Sequence, residues 1–227
     1  QAGLDPQGHI KGAGNLRLTP GQMQIPTATG VRQLSHGGGR LEFGLDPRGL
    51  QASLSLQPLE QGRVEANLAL PGLSRLPLAP QQPINGHLTA ALPNLDLLPS
   101  FVPQLRNTSG RLNLALDLSG LLPNPQLALS LQLLQGGAEL PQAGLQLRDI
   151  QLALLDRRDQ PGRYDLKGQL TSGQGVLHLR GELDQAKQSA SLSLQGRGLQ
   201  VFDTPDARVR IAPDLQLGWQ EGGLKVR

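Results

Sequence analysis

The chain has 227 residues, which is enough for one large or two small domains with a hydrophobic core. It contains no cysteine, so disulfides and thiolate-bound metals are excluded. Its 21 basic and 18 acidic residues give a net charge of +3 without a basic run, and only 2% of residues are aromatic. Nucleic-acid binding is therefore disfavoured, because it relies on a concentrated basic surface and, for single strands, on stacking side chains.

Alternation of leucine with polar residues recurs along almost the whole chain, and it predicts strands with one apolar and one polar face. The pattern begins in "GNLRLT", "RLEFGL", "LQASLSLQ", "RVEANLAL" and "INGHLTAAL". It continues through "GRLNLALDLSG", "PQLALSLQLLQGG", "GLQLRDIQLALL" and "GVLHLRGEL" to "GLKV". About fourteen such segments, separated by Gly, Pro, Asn and Asp turns, leave no room for crossover helices. We therefore predict an all-β fold with a long, mostly antiparallel sheet.

One segment breaks the pattern. Residues 92–107 place Leu95, Leu98 and Phe101 at roughly helical spacing, while Pro99 and Pro103 limit any helix to short turns. One short helical element is therefore predicted near residues 94–102. Residues 19–30, "TPGQMQIPTATG", are predicted as a loop or an irregular edge.

Residues that could carry chemistry are few and scattered. The four histidines are His9, His36, His87 and His178, and none lies at metal-ligand spacing from another. His87 and His178 fall on polar strand faces. Three aspartates lie within twelve residues, but they occupy strand ends where Asp and Pro form turns: Asp203, Asp206 and Asp214. We therefore expect no enzyme activity, no metal site and no cofactor.

The leucine faces are the remaining feature with functional content. Sandwich cores favour Val, Ile and aromatic residues, whereas this chain has only three Phe, one Tyr and one Trp. About fourteen strands also exceed the roughly ten that an open sheet usually contains, so the sheet is expected to curl or fold over. Two interpretations stay open at this point: an ordinary sandwich or solenoid core, or a groove that holds flexible acyl chains.

The second half of the chain resembles the C-terminal conserved region of the TamB family. The segments follow the family's order: "NLDLLPSFVPQLRN", then "GRLNLALDLSG", "PQLALSLQLL" and "LPQAGLQLRDIQL". Downstream, "TSGQGVLHLRGELD" and "FDTPDARVRIAPDLQL" resemble two further family segments. Residues 84–227 carry this likeness, while residues 1–80 match only through the general repeat.

The resemblance implies a β-taco, a long sheet folded into a U-shaped hydrophobic groove, related to AsmA-like and bridge-type lipid transport proteins. The chain is then expected to be one elongated segment, residues 1–227, of a longer protein that is anchored in the inner membrane and spans the periplasm. The implied partners are the outer-membrane barrel TamA and phospholipid acyl chains. The implied roles are phospholipid transport between the inner and outer membranes, and assembly of autotransporters and other outer-membrane proteins.

The predicted groove lining consists of leucines that alternate along five segments. A second hypothesis is a chaperone-like module that accepts strands of unfolded outer-membrane proteins by β-augmentation, and a third is a passive spacer with a dry core. The predicted lining residues are Leu112, Leu114, Leu116, Leu118, Leu127, Leu129, Leu131, Leu133, Leu145, Leu147, Leu152, Leu154, Leu177, Leu179, Leu192 and Leu194.

Overall fold

The computed structural model describes residues 2–4, 10–27, 30–59, 61–73, 79–157, 159–220 and 223–226. The fold is nearly all-β, with 74% strand and 4% helix, and most of its strands form one large antiparallel sheet. The predicted fold class is thereby confirmed. The U shape stays a prediction.

The strands follow one another with short connections. They are β1 (Ala2–Leu4), β2 (Ile10–Leu18), β3 (Gly21–Thr27), β4 (Gly30–His36), β5 (Gly38–Asp46), β6 (Gly49–Gln57), β7 (Arg63–Pro71), β8 (Asn85–Leu92), β9 (Arg106–Leu121), β10 (Asn124–Leu140), β11 (Leu145–Asp156), β12 (Arg163–Asp184), β13 (Ser189–Asp203), β14 (Arg208–Ile211), β15 (Asp214–Gln220) and β16 (Gly223–Val226). A helix, α1 (Leu98–Phe101), lies inside the predicted range, and a 3-10 turn spans Pro141–Ala143.

The sheet is a meander in which each strand mostly pairs with its neighbour in sequence. Its order is β1-β2-β5-β6-β7-β8-β9-β10-β11-β12-β13-β15-β16, with β14 pairing beside β13. Strands β3 and β4 form a separate two-stranded sheet. Residues 19–30 were predicted as a loop or an irregular edge, and the loop alternative was wrong for Gly21–Thr27, which form β3. Pro26 is tolerated in β3 because a two-stranded sheet does not require every N–H to donate to a neighbour.

The chain divides into two compact units. Unit 1 comprises Gln1–Gln24, Gln33–Ala91 and Leu114–Ala128, and unit 2 comprises Ile25–Arg32, Leu92–Asn113 and Leu129–Arg227. The division passes through β9 and β10, which contribute residues to both units. The prediction of one elongated segment stays a prediction.

In unit 1 the pairing from β2 to β8 keeps one register without interruption. One apolar row crosses five strands through the direct pairs of Leu16 with Leu41, Leu41 with Leu54, Leu54 with Ala66, and Ala66 with Leu88. Direct antiparallel partners project to the same face, so strict alternation in sequence becomes a continuous apolar surface.

In unit 2 the strands are longer and their register shifts. Shifts occur between β10 and β11, between β11 and β12, and between β12 and β13. At each shift a residue adopts positive φ: Gln135 (54°), Asp149 (51°), Gly173 (62°) and Gly198 (61°). We call these four residues the bulge seam. At each shift one strand of the pair has one extra position, as in a β-bulge, and the leucine alternation in the sequence slips by one at the same places.

The two halves of β12 lie side by side. The half up to Ser172 pairs with β11, and the half from Gly173 pairs with β13. A Cβ built on Gly168 would lie 3.5 Å from Leu179 Cδ1, and one built on Gly181 would lie 3.6 Å from Leu166 Cβ. The apolar face therefore continues from β11 across both halves of β12 to β13.

Candidate functional site

The sixteen predicted leucines all lie on strands, and every one of them is half-buried. Twelve belong to unit 2 and four to unit 1, namely Leu114, Leu116, Leu118 and Leu127. Few hydrophobic residues of the described chain are fully buried: Leu59, Leu73, Ile84, Ala138, Tyr164 and Leu199. The leucine faces therefore retain apolar area in contact with solvent, unlike a closed core.

A first apolar row crosses unit 2. Leu131 pairs with Leu154, and Leu154 pairs with Leu166 on β12. On the other half of β12, Gly181 pairs with Leu192, which pairs with Leu217. Three predicted residues thus join two leucines, Leu166 and Leu217, that the prediction left out. Both stand at alternating positions in "RYDLKGQL" and "DLQLGW", so the sequence signal for them was present.

A second apolar row runs parallel to the first, two residues further along each strand. Leu133 pairs with Leu152, which pairs with Gly168. Leu179 pairs with Leu194, which pairs with Leu215. The two rows make a patch of leucine on one face of β10 to β15.

Glycine alternates with leucine inside these rows, and this sets their surface. A Cβ on Gly168 would meet Leu152 Cδ1 at 3.0 Å, and a Cβ on Gly181 would meet Leu192 Cδ1 at 3.4 Å. The leucine methyls therefore occupy the space that a side chain at either glycine would need. The result is a low surface of flexible hydrocarbon.

The remaining predicted leucines of β11 lie on the far side of the bulge seam. Leu145 pairs with Leu140, and Leu147 pairs with the buried Ala138. Leu147 before Asp149 and Ile150 after it are both half-buried, because the extra position keeps the apolar residues on one face. These two leucines belong to the better-packed end of unit 2.

That end is held by two buried hydroxyls. Ser172 is 1% exposed, and its Oγ donates to the Gln200 carbonyl at 2.6 Å. Thr108 Oγ1 donates to the Leu95 carbonyl at 2.7 Å, which fixes the segment leading into α1. Phe101 on α1 is 80% exposed, so the helix presents its ring to solvent.

The polar face of unit 2 carries paired charges. Arg157 contacts Asp165 at 2.6 Å and Glu182 at 2.8 Å, and Arg163 contacts Asp184 at 3.0 Å. The hydrogen bond from Arg157 holds the pKa of Asp165 below its usual range. The Lys187 backbone N–H, with Arg163, does the same to the pKa of Asp184. These carboxylates are ionised ion-pair partners rather than proton donors at neutral pH.

The residues first considered for chemistry do not assemble into a site. Asp203 pairs with Arg208 at 2.8 Å, while Asp214 accepts from Gln195 at 3.3 Å. Within the part of the chain that the structure describes, no group of three His, Asp or Glu could hold a metal ion. His9 lies outside the described residues.

Unit 1 has a depression of about 860 Å³ whose polar lining includes Glu42, Asn67 and His87. His87 Nδ1 lies 2.5 Å from Asp117 Oδ1, and both side chains are exposed. No Ser or Cys nucleophile is paired with His87 among the described residues. This pair therefore lacks the nucleophile and base relationship of a hydrolytic site.

Comparison with protein-family models, curated proteins and solved structures found no match to this chain. Among the described residues, no helix has the length and apolar character needed to cross a membrane.

Proposed function

We propose that this chain is a non-enzymatic hydrophobic conduit of the TamB type, a periplasmic segment whose leucine rows bind phospholipid acyl chains. In this role it moves phospholipid between the inner and outer membranes and supports outer-membrane protein assembly together with TamA. The observation that carries the proposal is the pair of half-buried apolar rows in unit 2, which leave hydrocarbon surface available to a ligand.

The chemistry of the rows suits an acyl chain. Each CH₂ that leaves water contributes about 0.8 kcal/mol, so eight methylenes contribute roughly 6 kcal/mol before ordering costs. The rows contain only leucine and glycine at their paired positions, and hence no polar atom of a side chain that could fix a ligand in one place. Contact without a fixed polar anchor is what sliding along the sheet requires.

A second function, binding of client strands by β-augmentation, is favoured by β14. This four-residue strand pairs with β13 and with no other described strand. Its residues are all exposed, and they include the apolar side chains of Val209 and Ile211. Such an edge offers unpaired backbone groups to another strand, although Arg208 and Arg210 oppose indiscriminate pairing.

A photo-crosslinking amino acid at Leu154, at the centre of the first row, distinguishes these functions. We expect crosslinks to phospholipid from Leu154, and none from Gln151, three residues away on the polar face of the same strand. Adducts with client polypeptide at Leu154 would favour strand binding instead. Absence of any adduct at Leu154 would favour the passive spacer.

A matched pair of charge substitutions tests transport. We expect Leu154→Arg to abolish lipid co-purification, because an unpaired charge in the apolar row costs several kcal/mol. Gln151→Arg places the same charge on the polar face and serves as the control. If Leu154→Arg folds and retains as much phospholipid as Gln151→Arg, the rows do not carry acyl chains.

A further inference from the structure

The polar face of unit 2 gathers a large share of the chain's excess positive charge. Two adjoining depressions of about 360 and 650 Å³ share Arg157, Glu182, Ser191, Gly218 and Lys225 in their lining. We call them together the cationic depression. Its charged residues are six cations, Arg157, Arg163, Lys167, Arg180, Lys187 and Lys225, and three carboxylates, Asp165, Glu182 and Asp184.

The balance of charge is uneven across the chain. Six cations against three carboxylates leave +3 in the cationic depression, which equals the net charge of all 227 residues, 21 basic against 18 acidic. The remaining fifteen basic and fifteen acidic residues of the chain have a net charge of zero. The excess positive charge, which is scattered along the sequence, is therefore concentrated by the fold in the cationic depression.

The carboxylates of the cationic depression are already engaged. Arg157 and Arg163 take up all three of them. In the described ranges Lys167, Arg180 and Lys225 form no ion pair. They are thus available to an anion from solution.

Small residues separate these cations and leave space between them. On one line across the sheet, Ser191 pairs with Gly218, which pairs with Lys225. On the next line, Arg180 pairs with Ser193. A Cβ built on Gly218 would have nothing within 4 Å, so the floor of the cationic depression is open at that point.

The donors around this space match a phosphate group. A guanidinium, ammonium groups and hydroxyls can each donate to a different phosphate oxygen.

We propose that the cationic depression binds the phosphate of an anionic phospholipid headgroup. Lys167 lies between Leu166 and Gly168 on its strand, and Arg180 lies between Leu179 and Gly181, so both cations project to the face opposite the leucine rows. The inference holds whether or not those rows carry acyl chains.

Vesicle co-sedimentation tests the proposal with matched charge variants. We expect the chain to bind phosphatidylglycerol vesicles and not phosphatidylcholine vesicles. Lys167→Gln combined with Arg180→Gln should weaken binding roughly 10- to 30-fold, because each cation near an anionic surface contributes roughly three- to fivefold in affinity. Arg40→Gln combined with Arg63→Gln removes the same charge from exposed ion pairs in unit 1 and should change binding little.

A charge-neutral pair of variants tests the shape of the site. Gly218→Leu fills the floor of the cationic depression, whereas Gly44→Leu places the same side chain at an equally open strand position in unit 1. We expect a several-fold loss of vesicle binding for Gly218→Leu only. A Cβ at either glycine would have nothing within 4 Å, so we expect both variants to fold.

Four results would overturn the proposal. The first is absence of binding to phosphatidylglycerol vesicles, and the second is equal weakening by the two double variants, which would indicate net charge alone. The third is full competition by inorganic phosphate at constant ionic strength, which would assign the site to free phosphate. The fourth is equal affinity for a single-stranded DNA oligonucleotide, which would assign it to nucleic acid.

Discussion

Units 1 and 2 both align leucines of neighbouring strands into apolar rows, but their strands differ in length and in register. In unit 1, β5, β6 and β7 have nine residues each and pair without a register shift. In unit 2, β11, β12 and β13 have 12, 22 and 15 residues and carry the bulge seam. Twist accumulates along a paired strand, and a bulge changes the local twist and shifts the register. The longer strands of unit 2 therefore carry extra residues that the nine-residue strands of unit 1 do without.

Glycines in the two units provide the largest expected contrast. Gly181→Ala in unit 2 should lower the free energy of unfolding by about 2 kcal/mol, because its Cβ would lie 2.5 Å from the Ser191 carbonyl oxygen. Gly44→Ala in unit 1 should raise it by about 0.5 kcal/mol, because nothing lies within 4 Å and the unfolded chain loses freedom. Urea unfolding of both variants measures the two signs. Equal changes in the free energy of unfolding for the two variants would mean that the strands around Gly181 leave as much space for a Cβ as those around Gly44.

The bulge seam gives a smaller contrast. Asp149→Val should lower the free energy of unfolding by about 1 kcal/mol, because a β-branched residue is strongly disfavoured at φ 51°. Ser55→Val, at an exposed position of β6 in unit 1, serves as the control and should be neutral within about 0.5 kcal/mol. Asp149→Gly should be neutral or slightly stabilising. A neutral Asp149→Val would show that positive φ at this position is not required.

Tyr164 offers a probe that belongs to unit 2 alone, since the chain has one tyrosine. Its ring is 3% exposed, and burial raises the pKa of its hydroxyl above 10.0. Because the pKa is raised in the folded chain, the buried neutral hydroxyl of Tyr164 contributes fully to stability below pH 10. That contribution is lost as the pH rises through the pKa of the folded state. Phenolate absorbance in native and urea-unfolded chain measures the difference. Coincident titration midpoints would place Tyr164 in solvent.

Much of the fold could be predicted because alternation acts locally. Leucine at every second position defines a strand and its apolar face whatever the strand pairs with, as β6 and β9 illustrate. The helical element near residues 94–102 was predictable from its spacing, and α1 lies within it. Even the bulge at Asp149 has a sequence signal, since "LQLRDIQL" slips from odd to even apolar positions.

The charge distribution on the polar face could not be predicted in the same way. Lys167, Arg180 and Lys225 are separated by 13 and 45 positions in the sequence, and pairing across the sheet brings them to one depression. Their proximity depends on register, which single-strand patterns leave open. The pairing of β3 with β4 was missed for a related reason, because this short hairpin lacks the long alternation of leucine with polar residues that predicted the other strands.

The order of strands in the large sheet has a consequence for how the chain acquires its structure. From β6 to β13 each strand pairs with the strand made just before it. Each new hairpin needs only a short loop to close, which is the fast and low-entropy route to a sheet. The large sheet can therefore fold in the direction of synthesis, since each newly made strand pairs with a strand that is already present.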